Sequence, residues 1–126
     1  MKFQIAVHLE AAGTADKIKY LAFDERYRLT GAKIVNNGNV TSNGADFAVF
    51  SIFGNNGSTV AYKWSTQTGA EGALTDAVSG SLADQKSGLD VYNAGTSIKI
   101  SKTHQGTTGR SVDSMLILSF EPARKF

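Results

Sequence analysis

The chain has 126 residues, of which 41% are apolar and 19% charged, which fits one globular domain and excludes an extended disordered chain. The formal charge is +2 and the basic residues are scattered singly, which excludes the basic stripe of a nucleic-acid-binding surface. There is no cysteine, and no apolar run approaches the ~20 residues of a membrane helix. We therefore expect no thiolate metal site, no nucleic acid and no membrane among the partners.

Apolar and polar residues alternate with a period of two through most of the chain, and Asn-Gly pairs at 37–38, 43–44 and 56–57 mark turns between the alternating runs. The clearest hairpin has its turn at Gly54–Ser58, and a final hairpin is predicted with a polar tip at His104–Arg110. In chain order, strands are predicted at residues 2–8, 16–23, 28–36, 46–53, 58–66, 79–84, 89–101 and 111–121.

Short strands at regular spacing predict an all-β fold. We expect a single domain over 1–126, a jelly-roll-like antiparallel β-sandwich of about eight strands, with room for short arms at 1–10 and 121–126.

The aromatic residues of the fifth predicted strand allow two interpretations. Alternation places Val60, Tyr62 and Trp64 on one face, which favours Tyr62 and Trp64 as core anchors. Because Trp64 is followed by the polar residues Ser65–Gln67, an exposed ring that stacks on a sugar is the alternative.

Two predicted strands are apolar on both faces, at residues 47–53 and 115–118. Either their outer face lies under a loop or a terminal arm, or it meets another subunit. For the second alternative, the candidate interaction surface combines the apolar residues of the first and last strands with the C-terminal residues. It comprises Phe3, Ile5, Met115, Ile117, Arg124, Lys125 and Phe126.

The chemical motifs of the chain do not assemble into a site. His104, Asp113 and Ser114 are the three residue types of a catalytic triad. Because adjacent strand residues point to opposite faces, the side chains of Asp113 and Ser114 should point apart. Gly109 opens no P-loop, because the segment after it reads as a strand rather than a helix. His8 and Glu10 share a strand face but lack a third metal ligand. We expect no enzyme activity, no cofactor and no metal.

Three stretches of the chain resemble the head decoration, or cement, proteins of tailed bacteriophages. They are a "TGAKIV" strand at residues 30–35, a "GTSIKI" strand at residues 95–100, and a His-x-Gly-type loop at His104–Gly109 that opens the last strand. The resemblance covers most of residues 16–122 and consists of strand and turn patterns.

The resemblance implies a jelly-roll protein on the outer surface of a virion. In that role the chain binds the major capsid protein and itself, as a dimer or trimer, and stabilises contacts between capsid subunits. A carbohydrate-binding module or phage adhesin, with Trp64 and Tyr62 stacking on the sugar, is the alternative.

Overall fold

The computed structural model describes residues 2–10, 16–84, 89–106 and 113–123, which form ten strands and, in those ranges, no helix. None of the described segments is a helix that could cross a membrane. The strands are β1 (Phe3–Leu9), β2 (Lys17–Leu21), β3 (Tyr27–Asn37), β4 (Phe47–Phe53), β5 (Val60–Ser65), β6 (Gly80–Ser81), β7 (Ala83–Asp84), β8 (Val91–Tyr92), β9 (Ile98–Gln105) and β10 (Asp113–Pro122).

The strands form two five-stranded antiparallel sheets. The first sheet has the order β1-β10-β3-β6, with β8 also paired to β3, and the second has the order β2-β9-β4-β5-β7. Both β6 and β8 pair with β3, so they act as one strand that is interrupted by β7. In each sheet, a strand from the C-terminal part of the chain lies between two strands from the N-terminal part. β10 lies between β1 and β3 in the first sheet, and β9 lies between β2 and β4 in the second. This is the strand order of a jelly roll, and the expected fold is confirmed.

Strand alternation places one side of each sheet in a common core. In β10, Leu116, Leu118 and Phe120 are buried, and in β9 Ile98 and Ile100 are buried opposite them in the other sheet. The largest buried side chains come from both sheets, so the two sheets stabilise each other.

The predicted final hairpin is wrong. β9 pairs with β2 and β4 in the second sheet, whereas β10 pairs with β1 and β3 in the first. The predicted polar tip also begins too early, because His104 and Gln105 still belong to β9, and residues 107–112 lie outside the described part of the chain. In a jelly roll, strands that follow one another in the sequence often belong to different sheets. The alternation of side chains within a strand does not show which strand it pairs with.

Two predicted strand boundaries also change. The strand expected at 89–101 is two strands, β8 and β9, because a turn containing Gly95 at φ +79° separates them. The strand expected at 79–84 is divided between the sheets as β6 and β7.

The hairpin of β4 and β5 is confirmed, but with a shifted register. Tyr62 lies opposite Ile52 and Val60 lies opposite Phe53, so one extra residue, Ala61, is inserted on β5. Val60 therefore does not share a face with Tyr62, contrary to the simple alternation.

Candidate interaction surface

The polar residues around the start of β10 do not converge on one point. Ser114 is buried on the inner side of the first sheet, whereas Asp113 lies on the outer side, where its Oδ1 is 4.0 Å from Nε2 of His8. His104 belongs to the other sheet, opposite Ala48. The divergence of Asp113 and Ser114 follows from the alternation of strand side chains.

His8 and Glu10, the candidate metal ligands, lie side by side at the end of β1. Nδ1 of His8 is 3.8 Å from Oε1 of Glu10, and Nζ of Lys19 donates to the same oxygen at 3.2 Å. Hydrogen bonds to its own backbone and to Lys19 hold the pKa of Glu10 below its usual value. In the part of the chain that the structure describes, no three His, Cys, Asp or Glu residues are arranged to bind a metal.

The least expected feature of the interior is Lys102, whose side chain is 0% exposed. It lies opposite Phe50 on the inner face of the second sheet, and its Nζ is 5.4 Å from the centre of that ring. Nζ also donates to the backbone carbonyl of Glu10 at 3.4 Å. Burial lowers the pKa of Lys102 to about 8, although Asp113 and Glu10 favour the charged form. The signal in the sequence was the inward series Ile98, Ile100, Lys102.

Two of the residues predicted for the interaction surface pack against the core. Phe3 and Ile5 lie on the inner side of β1 and pack against the core, where Phe3 contacts the rings of Phe23, Tyr27 and Phe120. Both side chains are partly buried, and their part in an interaction surface stays a prediction. Residues 124–126, with Arg124, Lys125 and Phe126, lie outside the described part of the chain.

Met115 and Ile117 do lie on the outer side of β10. Met115 is 40% exposed and lies between His8 on β1 and Val35 on β3. Ile117 is half-buried and lies between Ala6 on β1 and Lys33 on β3. This arrangement is an apolar strip on the solvent side of the first sheet, as the two-sided pattern at 115–118 predicted.

A groove of about 470 Å³ runs along this strip. Its apolar lining includes Val35, Met115 and Ile117, and its polar lining includes His8, Asp76 and Asp113. We call these six residues the β10 groove.

The wall of the β10 groove is fixed by backbone contacts at Asp76 and Ala77. Oδ1 of Asp76 accepts a hydrogen bond from the backbone N–H of Gly38 at 2.7 Å, and the N–H of Ala77 donates to the carbonyl of Asn36 at 2.9 Å. Ala77 has a φ of 61°, which a residue with a side chain rarely adopts. These bonds hold the wall in place next to the groove.

A second apolar patch lies on the other sheet. Ile18 and Tyr20 project from the outer side of β2, where they are 48% and 63% exposed. Tyr20 lies opposite Lys99 on β9. We call Ile18 and Tyr20 the β2 patch. No motif marks this patch in the sequence, although the alternation of Lys17, Ile18, Lys19 and Tyr20 is visible there.

The outer side of β4 is half-buried rather than fully covered or fully open. Phe47, Val49 and Phe53 are all partly exposed, and Nζ of Lys99 lies 4.8 Å from the centre of the Phe53 ring. Lys99 thus covers part of this face, and a contact with another subunit stays a prediction.

Tyr62 and Trp64 are held inside the fold. Tyr62 is buried, and Trp64 packs against the core while its Nε1 donates to the carbonyl of Gly72 at 3.1 Å. The sugar-stacking alternative stays a prediction, and this placement of the two rings does not favour it.

The contact between Trp64 and Gly80 gives a first testable expectation. A Cβ atom at residue 80 would lie 2.8 and 2.9 Å from two ring atoms of Trp64, and the hydrogen bond to Gly72 restrains the ring. We expect Gly80→Ala to lower the free energy of unfolding by about 1–2 kcal/mol. The measurement is urea unfolding followed by tryptophan fluorescence.

The matched control is Gly31→Ala, because a Cβ atom at Gly31 would meet nothing within 4 Å. It should change the stability by less than about 0.5 kcal/mol. Equal losses for the two variants would contradict a role for the Trp64 contact.

No family model matches the chain, and no curated protein matches it. Among solved structures, it is similar to one of Desmodium yellow mottle tymovirus, with 10% identity and a TM-score of 0.46 over 100% of this chain and 83% of the other. It is also similar to one of infectious bursal disease virus, Gx strain, with 13% identity and a TM-score of 0.37 over 100% of this chain and 31% of the other.

The chain thus spans about a third of the length of the bursal disease virus protein. These likenesses are too distant to carry an argument. The jelly-roll assignment rests on the strand order of the two sheets.

Proposed function

We propose that this chain is a virion structural protein without enzyme activity, a decoration protein on the outside of a phage head. In this role it binds the major capsid protein and further copies of itself, and it stabilises contacts between capsid subunits. The sequence resemblance to phage head decoration proteins supports this role, and the jelly-roll fold is one that viral capsid proteins use, although a fold alone does not decide a function.

The observation that carries the proposal is the outer side of β10. Met115 and Ile117 expose apolar side chains to solvent. They belong to β10, which is paired with β1 on one edge and with β3 on the other. The fold does not need these side chains in its core, which is on the other side of the sheet. A solvent-facing apolar strip on a rigid sheet is suited to a protein partner.

Repetition on a shell strengthens weak contacts of this kind. Each copy that binds the capsid is held at high local concentration beside the next copy, so a modest interface gains affinity through avidity. A small strip such as that of Met115 and Ile117 would gain affinity in this way.

The test compares particles of the virus that encodes the chain, assembled with and without it. We expect particles without the chain to release their DNA at a lower temperature, or on removal of divalent ions, and purified chain added back to restore the resistance. Genome release is followed with a DNA-binding dye during heating.

Two variants connect the result to β10. Met115→Lys places a charge in the apolar strip, whereas Gln4→Lys adds the same charge at an exposed position of β1 in the same sheet. Only the first should fail to restore resistance. Particles that are equally robust with and without the chain would show that decoration does not stabilise the head.

A further inference from the structure

One edge of the first sheet is formed by β1, a long strand with a single partner. Among the described strands, β1 pairs only with β10, so about half of the backbone N–H and C=O groups of residues 3–9 point away from the sheet. In the described part of the chain, none of these groups bonds to a backbone group outside β10. The edge of β1 is therefore open to a further strand.

The other sheet edges are short or carry charge. β6, β7 and β8 have two residues each. β2, the edge strand of the second sheet, carries Lys17 and Lys19 on its inner side, in register with Lys102 and Ile100. Inward-pointing lysines on an edge strand hinder pairing with another chain. β1 has no such protection, because its seven residues include no Lys, Arg, Asp, Glu or Pro.

The inner side of β1 is incompletely covered at the start of the strand. Phe3 and Ile5 point towards the core but are only partly buried, whereas Val7 and Leu9 are buried. A strand added beside β1 would cover the exposed parts of Phe3 and Ile5. Removing this apolar surface from water favours the addition.

The sequence of residues 2–10, KFQIAVHLE, is complementary to itself in the antiparallel direction. When two copies of β1 pair with Ala6 at the centre, apolar residues lie opposite apolar residues, polar opposite polar, and a base opposite an acid. The pairs are Ala6 with Ala6, Ile5 with Val7, Gln4 with His8, Phe3 with Leu9, and Lys2 with Glu10. The edge of β1 thus fits a second copy of itself.

The charges at the two ends of β1 select this register. Each end of the pair joins Lys2 of one copy to Glu10 of the other. Glu10 contacts both His8 on β1 and Lys19 on β2, which places its carboxylate at this edge of the sandwich. Lys19 is bound to Oε1, and a carboxylate with two oxygens can accept a second lysine. Moving the centre from Ala6 to either neighbouring residue would separate Lys2 from Glu10.

We propose that β1 pairs in antiparallel fashion with β1 of a second copy, around a twofold axis at Ala6. The first sheets of the two copies then form one continuous sheet, in which the two β1 strands lie between the two β10 strands. The contact is isologous and closes on itself, so it produces a dimer. This inference rests on the proposed function, since it specifies how further copies of the chain bind one another.

The first test is a disulfide between two copies of the full chain. The chain has no cysteine, and Ala6 is exposed. In the proposed pair the Cα atoms of the two Ala6 residues are about 4.5–5.5 Å apart, a spacing that a disulfide spans. We expect Ala6→Cys to form a covalent dimer rapidly under mild oxidation.

Gln4→Cys is the matched control for the cross-link, because Gln4 is exposed on the same face of the same strand. In the proposed pair it lies opposite His8, so the two copies of residue 4 are offset by four positions, or about 13 Å. This variant should cross-link at least about tenfold more slowly than Ala6→Cys.

The second test exchanges the charges and measures association by sedimentation velocity at low salt. Lys2→Glu and Glu10→Lys each place like charges opposite one another at both ends of the pair. We expect each variant alone to associate about tenfold more weakly than the wild type. An equal mixture of the two should regain the wild-type association, because both ends then join opposite charges. Ile5→Lys adds an inward-pointing lysine to the edge and should stay monomeric.

Three outcomes would overturn the inference. One is a wild type that stays monomeric at its highest soluble concentration. Another is cross-linking of Ala6→Cys that is no faster than that of Gln4→Cys. The third is a mixture of the two charge variants that associates no better than either alone, although both variants unfold cooperatively at the wild-type temperature.

The two proposals fail separately. A chain that dimerises through β1 but does not protect particles contradicts the decoration role and leaves this contact in place. A chain that protects particles while its Ala6→Cys variant forms no covalent dimer contradicts this contact alone.

Discussion

Phe120→Ala is expected to lower the free energy of unfolding by about 3–5 kcal/mol, a large share of the 5–15 kcal/mol that is typical for a small domain. The ring is 1% exposed. It stacks on Phe3 with ring centres 5.5 Å apart and meets Phe23 edge-on at 5.0 Å. Removing it opens a cavity between the ends of β1 and β10 and also removes these aromatic contacts.

The measurement is equilibrium unfolding in urea, followed by far-ultraviolet circular dichroism. Tyr20→Ala is the matched control, because it removes an aromatic ring that is 63% exposed. It should change the stability by less than about 0.5 kcal/mol. If Phe120→Ala costs no more than this control, Phe3 and Phe23 do not form a cooperative cluster with Phe120.

The strands of this fold could be predicted from the sequence because their cause is local. Alternation along 113–122 puts Leu116, Leu118 and Phe120 on one side whatever the strand pairs with. The partners of that strand could not be predicted in this way. β10 pairs with β1, where Phe120 lies opposite Phe3, and this pairing joins the two ends of the chain. Nothing within a short window of sequence records it.

The same limit applies to the residues of the candidate surface. Alternation separates Phe3 and Ile5 from Gln4 and Ala6, but it does not say which side faces the opposite sheet. The sandwich resolves this by placing Phe3 among other aromatic rings. Hydrophobicity would place Ile18 and Tyr20 inside as well, yet they face solvent. On this edge strand Lys19 instead reaches Glu10 at the end of β1.

The buried Lys102 should make the protein more stable as the pH rises from 8 towards 10. Its pKa falls from 10.5 to about 8 in the folded chain because burial disfavours the charged form. Between these two values the unfolded chain retains a proton that the folded chain has released, so stability rises with pH. The gain from pH 7 to about pH 9.5 is on the order of 2 kcal/mol.

Two tyrosines limit the pH range over which the stability rises. Burial raises the pKa of Tyr62 and Tyr92 above the usual value of 10.0. Above about pH 10 the unfolded chain therefore loses tyrosine protons that the folded chain keeps, and stability falls again. The rise that Lys102 causes is thus best measured below pH 10.

The variant that tests this is Lys102→Met, which keeps an unbranched side chain and removes the titrating group. Unfolding in urea at several pH values between 7 and 9.5 should show the rise in the wild type and little or none in the variant. Lys99→Met is the matched control, because it makes the same change on the outer side of the same strand, where Lys99 is partly exposed. It should keep the rise. If Lys102→Met keeps it as well, the pH dependence arises from another group, and Lys102 is not held in a neutral form by its burial.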